Sequence, residues 1–172
     1  MRRDPESDVK LTALQDQLPH NHCFGCGPHN PNGLRIKSYW SGDELSVARF
    51  TPEPHHCAGP KHFVNGGILA TIVDCHCICT AAGWAYRDEG REIGTKPDFH
   101  YATSTLTLAY RRPTPMNTEL ELEAHVVERT ERTYVLSCAL KANGKTCVEA
   151  TVEAIRVPES WIQGERETAQ VR

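Results

Sequence analysis

Hydrophobic and polar positions divide this chain into one long apolar run and a series of alternating segments. The apolar run covers residues 63–86, opens on a glycine pair and is interrupted by Thr71, Asp74 and His76. A helix that is hydrophobic on all sides is a buried helix. At roughly 20 residues it is long for a globular protein, yet its polar interruptions are too frequent for a membrane span. The other segments alternate with period two, as half-buried strands do. Residues 34–40 and 44–50 form a predicted hairpin around Ser41-Gly42-Asp43, with Leu45 and Val47 expected on one face of the second strand. After a charged loop at 87–98, further strands are predicted over 102–112, 118–128, 134–142 and 147–157. Pro113 and Pro115 end the first of these, and Asn143-Gly144 gives the strongest hairpin signal, since a type I′ turn wants φ > 0 at both central residues. A short helix is expected over 6–17, with Val9, Leu11 and Leu14 as its apolar face.

Two strands, one buried helix and a meander of about four strands imply an α+β domain. An antiparallel sheet must cover its apolar face, and only the helix of 63–86 is available to do so. The expected architecture is the hotdog fold, a curved antiparallel sheet wrapped around one long central helix. Such a sheet leaves an edge and part of the helix uncovered, so a homo-oligomer is expected, a dimer or a dimer of dimers. The boundaries read as an N-terminal arm over 1–21, the hotdog domain over 22–157 and a polar tail over 158–172.

Composition narrows the function classes. The 172 residues carry a net charge of −3, which gives no electrostatic footprint for nucleic acid and no polybasic membrane patch. The first residues show no apolar signal segment, so a cytoplasmic location with reduced thiols is expected for the eight cysteines. Cys75, Cys77 and Cys79 alternate along the predicted helix, cannot all share a face, and are read as small core residues. Cys23-x-x-Cys26 invites a zinc reading, with His20, His22 and His29, or His55, His56 and Cys57, to complete four ligands. One such pair is a weak signal, and the expectation is a metal-free loop whose Gly and Asn residues turn over the sheet.

The glycine pair and Asp74 carry the candidate chemistry. The first N–H groups of a helix lack intrahelical partners and favour negative charge. Gly66 and Gly67 let a ligand atom approach those donors, which is what an oxyanion hole requires. The bland alternative is a turn capped by Asn65. Asp74 lies eight residues beyond Gly66, about 12 Å along the axis. A carbonyl held at Gly66 is therefore out of reach of Asp74 on the same helix, and within reach of Asp74 from a second, antiparallel helix. The bland alternative for Asp74 is a structural ion pair or a carboxylate solvated at an interface.

Residues 64–74, Val-Asn-Gly-Gly-Ile-Leu-Ala-Thr-Ile-Val-Asp, resemble the His-Gly-Gly…Asp segment of hotdog acyl-CoA thioesterases of the PaaI-like type. The upstream Cys23-Phe24-Gly25-Cys26-Gly27…Asn30-Pro31-Asn32-Gly33-Leu34 and the strand end Tyr110-Arg111-Arg112-Pro113 are similar to segments of the same family. The resemblance implies hydrolysis of an acyl-CoA to a carboxylic acid and free CoA, without a metal or organic cofactor. Gly66, with Gly67, would polarise the thioester carbonyl. Asp74 from the partner chain would act as base or nucleophile, and Thr103 would orient Asp74 or the water. Asn65 stands where the family usually has His; it can donate, accept and cap, but it cannot titrate. One of Arg111 and Arg112 is expected to meet a CoA phosphate, and His100 to line the site's mouth. His76 is expected to be a core or interface residue. The alternatives are a non-catalytic acyl-CoA-binding hotdog, favoured by Asn65, and a hydratase or dehydratase, which would need a His that the helix start lacks.

Overall fold

The structure is a computed structural model and describes residues 12–18 and 21–162. After a four-residue helix α1 (Leu14–Gln17) come β1 (Lys37–Ser41), β2 (Leu45–Phe50), the helix α2 (Gly66–Asp88), and then β3 (Tyr101–Tyr110), β4 (Leu120–Arg129), β5 (Thr133–Ala142) and β6 (Lys145–Arg156). The six strands form one sheet in the order β1-β2-β4-β5-β6-β3, and every neighbouring pair is antiparallel. Helix α2 packs across β3 to β6 and reaches β1. This is the hotdog arrangement. Of the expected 6–17 helix, the described part is α1; Val9 and Leu11 lie outside the described residues, as do His20 and the tail beyond residue 162.

Helix α2 starts and stops for identifiable reasons. Asn65 Oδ1 accepts the N–H groups of Gly67 at 2.8 Å and Ile68 at 3.4 Å, which satisfies donors the first turn would otherwise leave open. At the other end Gly90 takes φ +63°. Its N–H reaches the Arg87 carbonyl and the Arg91 N–H reaches the Tyr86 carbonyl, a Schellman stop. Between the caps, the helix is apolar enough to cross a bilayer by length and composition, but 67% of its most apolar window is buried within the fold. It is the core helix.

The sheet's inner face follows the alternation in β5, where Tyr134, Leu136, Cys138, Leu140 and Ala142 are all buried. Asn143 and Gly144 take φ of 51° and 70° between paired Ala142 and Lys145, the type I′ geometry their sequence predicts. In β2 Leu45 and Val47 do share a face, but it is the half-buried one; the buried face carries Ser46, Ala48 and Phe50. Ser46 can face inward because the helix above it is polar at that point. Its Oγ lies 2.7 Å from Thr80 Oγ1 and 3.4 Å from His76 Nε2. His76 Nδ1 is 2.8 Å from Ser38 Oγ, which in turn accepts from Gln15 Nε2 at 2.7 Å. A hydrogen-bonded chain thus runs from α1 through β1 and α2 to β2, and all its members are buried. Buried polar groups persist when they are paired in this way.

Candidate active site

The start of α2 is held from three sides. The Asn65 N–H donates to the His56 carbonyl at 2.9 Å and the Val64 N–H to the Thr114 carbonyl at 2.9 Å. Tyr110, at the end of β3, donates its hydroxyl to the Gly66 carbonyl at 2.8 Å. A Cβ on Gly66 would stand in ordinary contact with that hydroxyl, at 3.4 Å. These contacts fix the plane of the first helical peptides. They also separate the two glycines. The Gly67 N–H, expected to assist at the carbonyl, is committed to Asn65 Oδ1. The Gly66 N–H makes no hydrogen bond among the described residues and is the donor left free.

Asp74 lies two turns along the same unbroken helix, so the separation of about 12 Å from Gly66 stands. It is half-buried. The Thr103 hydroxyl donates to its Oδ1 at 2.5 Å, and its Oδ2 has no partner among the described residues. Burial pushes the Asp74 carboxyl above the usual carboxylate range, and the Thr103 hydrogen bond draws it part of the way back. The less covered positions near it, Gly67, Ala70, Thr71 and Ile78, share its side of α2 at helical spacing.

A β-bulge makes the Asp74–Thr103 pair possible. In β3 the pairing shifts between Thr103 and Thr105: Thr105 sits opposite Glu153, and Thr103 opposite Ala154. Ala154 and Val152 are buried, inward-facing residues of β6. Thr103 therefore lies on the helix side together with Leu106 and Leu108. Strict alternation counted back from Leu106 would have turned it outward.

The remaining candidates are dispersed. Arg111 forms a two-pronged pair with Glu149, Nε and a terminal nitrogen each 2.8 Å from Oε2, and Arg112 donates to the Thr146 carbonyl at 2.7 Å. Both guanidinium groups are engaged by β6. His100 precedes the opposite end of β3, about 35 Å of strand away. His100 and the two arginines therefore cannot line one site mouth within a single chain. His76 is fully buried, and burial pushes its imidazole down to about 4; it is a core residue. Sequence reasoning gave Tyr110 no role of its own; only its place in the aromatic-Arg-Arg-Pro strand end pointed to it. A cavity of about 590 Å³ opens beside the helix start, with Phe24, Arg35, Arg49, His55 and Ile68 among its walls.

The Cys23-x-x-Cys26 turn lies on α2 rather than over the sheet, because Cys75 and Cys79 face it there. No histidine joins it among the described residues; His22 and His29 pack on each other with ring centres 5.4 Å apart. All eight cysteines are free thiols.

The family model described as Thioesterase superfamily matches residues 61–149, more than half of the chain. The chain belongs to the thioesterase superfamily. Among the superfamily's solved structures, a thioesterase superfamily protein from Shewanella loihica is 32% identical, with a TM-score of 0.58 over 81% of this chain and 96% of that one. The PaaI protein of the Escherichia coli phenylacetic acid degradation operon shares the fold at 19% identity, TM-score 0.58, over 73% of this chain and 81% of that one. The acyl-coenzyme A thioesterase THEM4 of Xenopus laevis is 25% identical over 117 residues, 68% of this chain and 46% of that protein. This chain spans about half the length of that curated relative. The superfamily match covers the helix start, Asp74 and Thr103 together.

Proposed function

We propose that this superfamily member is an acyl-CoA thioesterase whose active site is shared between two copies of the chain. The observation that carries the reading is the unbroken helix between a free Gly66 N–H and a half-free Asp74 carboxylate. Neither group has a second function in the fold, and about 12 Å of helix keeps them from acting on one carbonyl within one chain. An antiparallel partner helix brings the Gly66 of each chain to the Asp74 of the other. The edge strand β3 supports such pairing. It ends the sheet, and Thr103, Ser104, Thr105, Thr107 and Tyr110 along it are exposed. An unpaired edge of this length is a template for another strand.

In this reading the thioester carbonyl oxygen accepts from the Gly66 N–H, and charge developing there is met by a fixed donor at a helix N-terminus. Asp74 Oδ2 takes a proton from a water as its oxygen bonds to the carbonyl carbon; Thr103 holds Oδ1. Collapse of the intermediate breaks the C–S bond. The leaving thiolate needs little acid help, since thiols ionise near pKa ~8.5, and the proton on Asp74 returns to it. Asn65 spends its oxygen on the helix cap, so a titrating residue at this position is not part of the scheme. The acyl-CoA assignment rests on the curated relative's name, and the cytoplasmic location on the suitability of eight free thiols to a reducing compartment.

Thiol release from a panel of acyl-CoAs tests the activity; saturable binding without release would favour a non-catalytic acyl-CoA binder instead. Complementation tests the sharing. Gly66→Pro removes the N–H and keeps the helix start, because proline suits the first helical position and Asn65, at φ −61° and ψ 134°, already has the conformation a residue before proline prefers. Losing that donor should cost roughly 100- to 1,000-fold in kcat. Asp74→Asn should be inactive as well. Co-refolded mixtures of the two variants should recover activity, since a mixed dimer has one site with both groups intact. Mixtures as inactive as their parents would defeat the shared site.

A further inference from the structure

The superfamily reading makes no use of the chain's thiols, and four of them meet at one loop-to-helix contact, three mutually close and Cys79 beside Cys26. Cys23-Phe24-Gly25-Cys26-Gly27 is a tight turn closed by the Gly27 N–H on the Cys23 carbonyl at 2.8 Å and by the Cys23 N–H on Asn21 Oδ1 at 3.0 Å. It lies against one face of α2, where Cys75 and Cys79 sit one turn apart. Cys23 Sγ is 3.5 Å from Cys75 Sγ, and Cys26 Sγ is 3.8 Å from Cys79 Sγ. The sulfurs of Cys23, Cys26 and Cys75 all lie within 4.8 Å of one another.

The turn has no room for other residues. A Cβ on Gly25 would fall 2.3 Å from Cys75 Sγ and 2.8 Å from Thr71 Cγ2. One on Gly27 would fall 2.5 Å from the Cys23 nitrogen and 2.7 Å from the Asn21 and Cys23 carbonyl oxygens. Two glycines are thus needed to bring two sulfurs from the loop against two from the helix.

We infer that Cys23, Cys26, Cys75 and Cys79 bind one structural zinc ion. Four thiolates at a Zn–S distance of about 2.3 Å form a tetrahedron whose edges are about 3.8 Å, and the two loop-to-helix sulfur pairs already stand near that spacing. Disulfides would need sulfurs about 2.05 Å apart. Thiolates are soft ligands that select zinc over hard cations. A pair from a C-x-x-C turn with a pair from one helix face is a closed ligand set, as structural zinc requires. On binding, each thiol gives its proton to solvent and no sulfur is oxidised. Asn21 Nδ2, 3.4 Å from Cys26 Sγ, supplies the outer hydrogen bond that ligating thiolates commonly have. The remaining helix cysteine, Cys77, lies on another face of α2 from Cys75 and Cys79, so it takes no part. The ion would tie the 21–34 loop to α2 at the residue next to Asp74.

Metal analysis of the full chain purified under reducing, oxygen-free conditions tests the site. The expected result is about one zinc per chain that persists through gel filtration. Cobalt(II) added to the metal-free protein should give tetrahedral visible bands with thiolate charge transfer. The double variant Cys23→Ser/Cys26→Ser should lose both signals, whereas Cys147→Ser, remote from the cluster, should keep them. Folded wild-type protein that holds no stoichiometric zinc and gives no thiolate charge transfer with cobalt would overturn the inference. Full zinc in the double variant would do the same. None of these readouts depends on thioester hydrolysis.

Discussion

Asp74 and His76 are two residues apart on one helix and have opposite surroundings. Both interrupt an apolar run as polar groups on the same stretch of helix. His76 is fully buried with both ring nitrogens engaged, by Ser38 and Ser46, and burial keeps it neutral. Asp74 is half-buried, has one partner on one oxygen, and lies on the side of α2 that its own chain covers least. A polar group inside an apolar helix costs stability unless it is paired. At His76 the fold supplies the pairs. At Asp74 it leaves one oxygen open, which is the state a reacting group needs. The lesson concerns satisfaction rather than burial: the proposed site is where the hydrogen-bond ledger is left incomplete.

Substitutions can break this contrast, and the largest effect is expected at Asp74. Asp74→Asn should lower kcat for thioester hydrolysis by roughly 100- to 10,000-fold, the range of a lost general base, while the melting temperature stays the same or rises. Retained activity would remove Asp74 from the mechanism. His76→Ala should do the reverse. A cavity and broken hydrogen bonds should cost about 3 kcal/mol of stability, measured by denaturant titration, with kcat per folded molecule unchanged.

The next effects sharpen the contrast. In the proposed scheme Thr103 is a positioning residue, so Thr103→Val should lower kcat about tenfold with little change in KM, the loss of one hydrogen bond to a charged group. Thr103→Ser should restore it; equal loss in both variants would point to packing instead. Ser46→Ala is the smallest change, about 1 kcal/mol of stability and none in turnover. A turnover defect there would mean that the two polar groups of α2 are coupled after all.

Much of the fold could be read from the chain because its strongest signals are local. The apolar run, the Asn65 cap and Asn143-Gly144 each depend on residues close in sequence, and the structure reproduces all three. The candidate pair Gly66 and Asp74 could be read for the same reason, since helical rise converts eight residues into a distance. What could not be read depends on distant partners. Which face of β2 is buried is one example: Ser46 can turn inward only because it is satisfied by His76 and Thr80, 30 and 34 positions away. Cys23 and Cys26 were matched with nearby histidines, whereas their neighbours are helix cysteines more than 50 positions on. His100 and Arg111 flank the same strand, and its length alone places them at opposite ends.

The bulge in β3 changes how the strand tolerates gain and loss of residues. In a regular strand, removing one residue turns everything on one side of the cut inside out. Ser104 is the exception, because it is the extra residue between Thr103 and Thr105 and has no partner of its own in the ladder. Excising it would join two stretches that are already in phase, leaving Thr103 toward Asp74 and Leu106 toward the core. Excising Thr105 would do the same, with Ser104 taking its place opposite Glu153. The bulge is thus the point in β3 where chain length can differ by one between related proteins while the same hydroxyl stays on the same carboxylate.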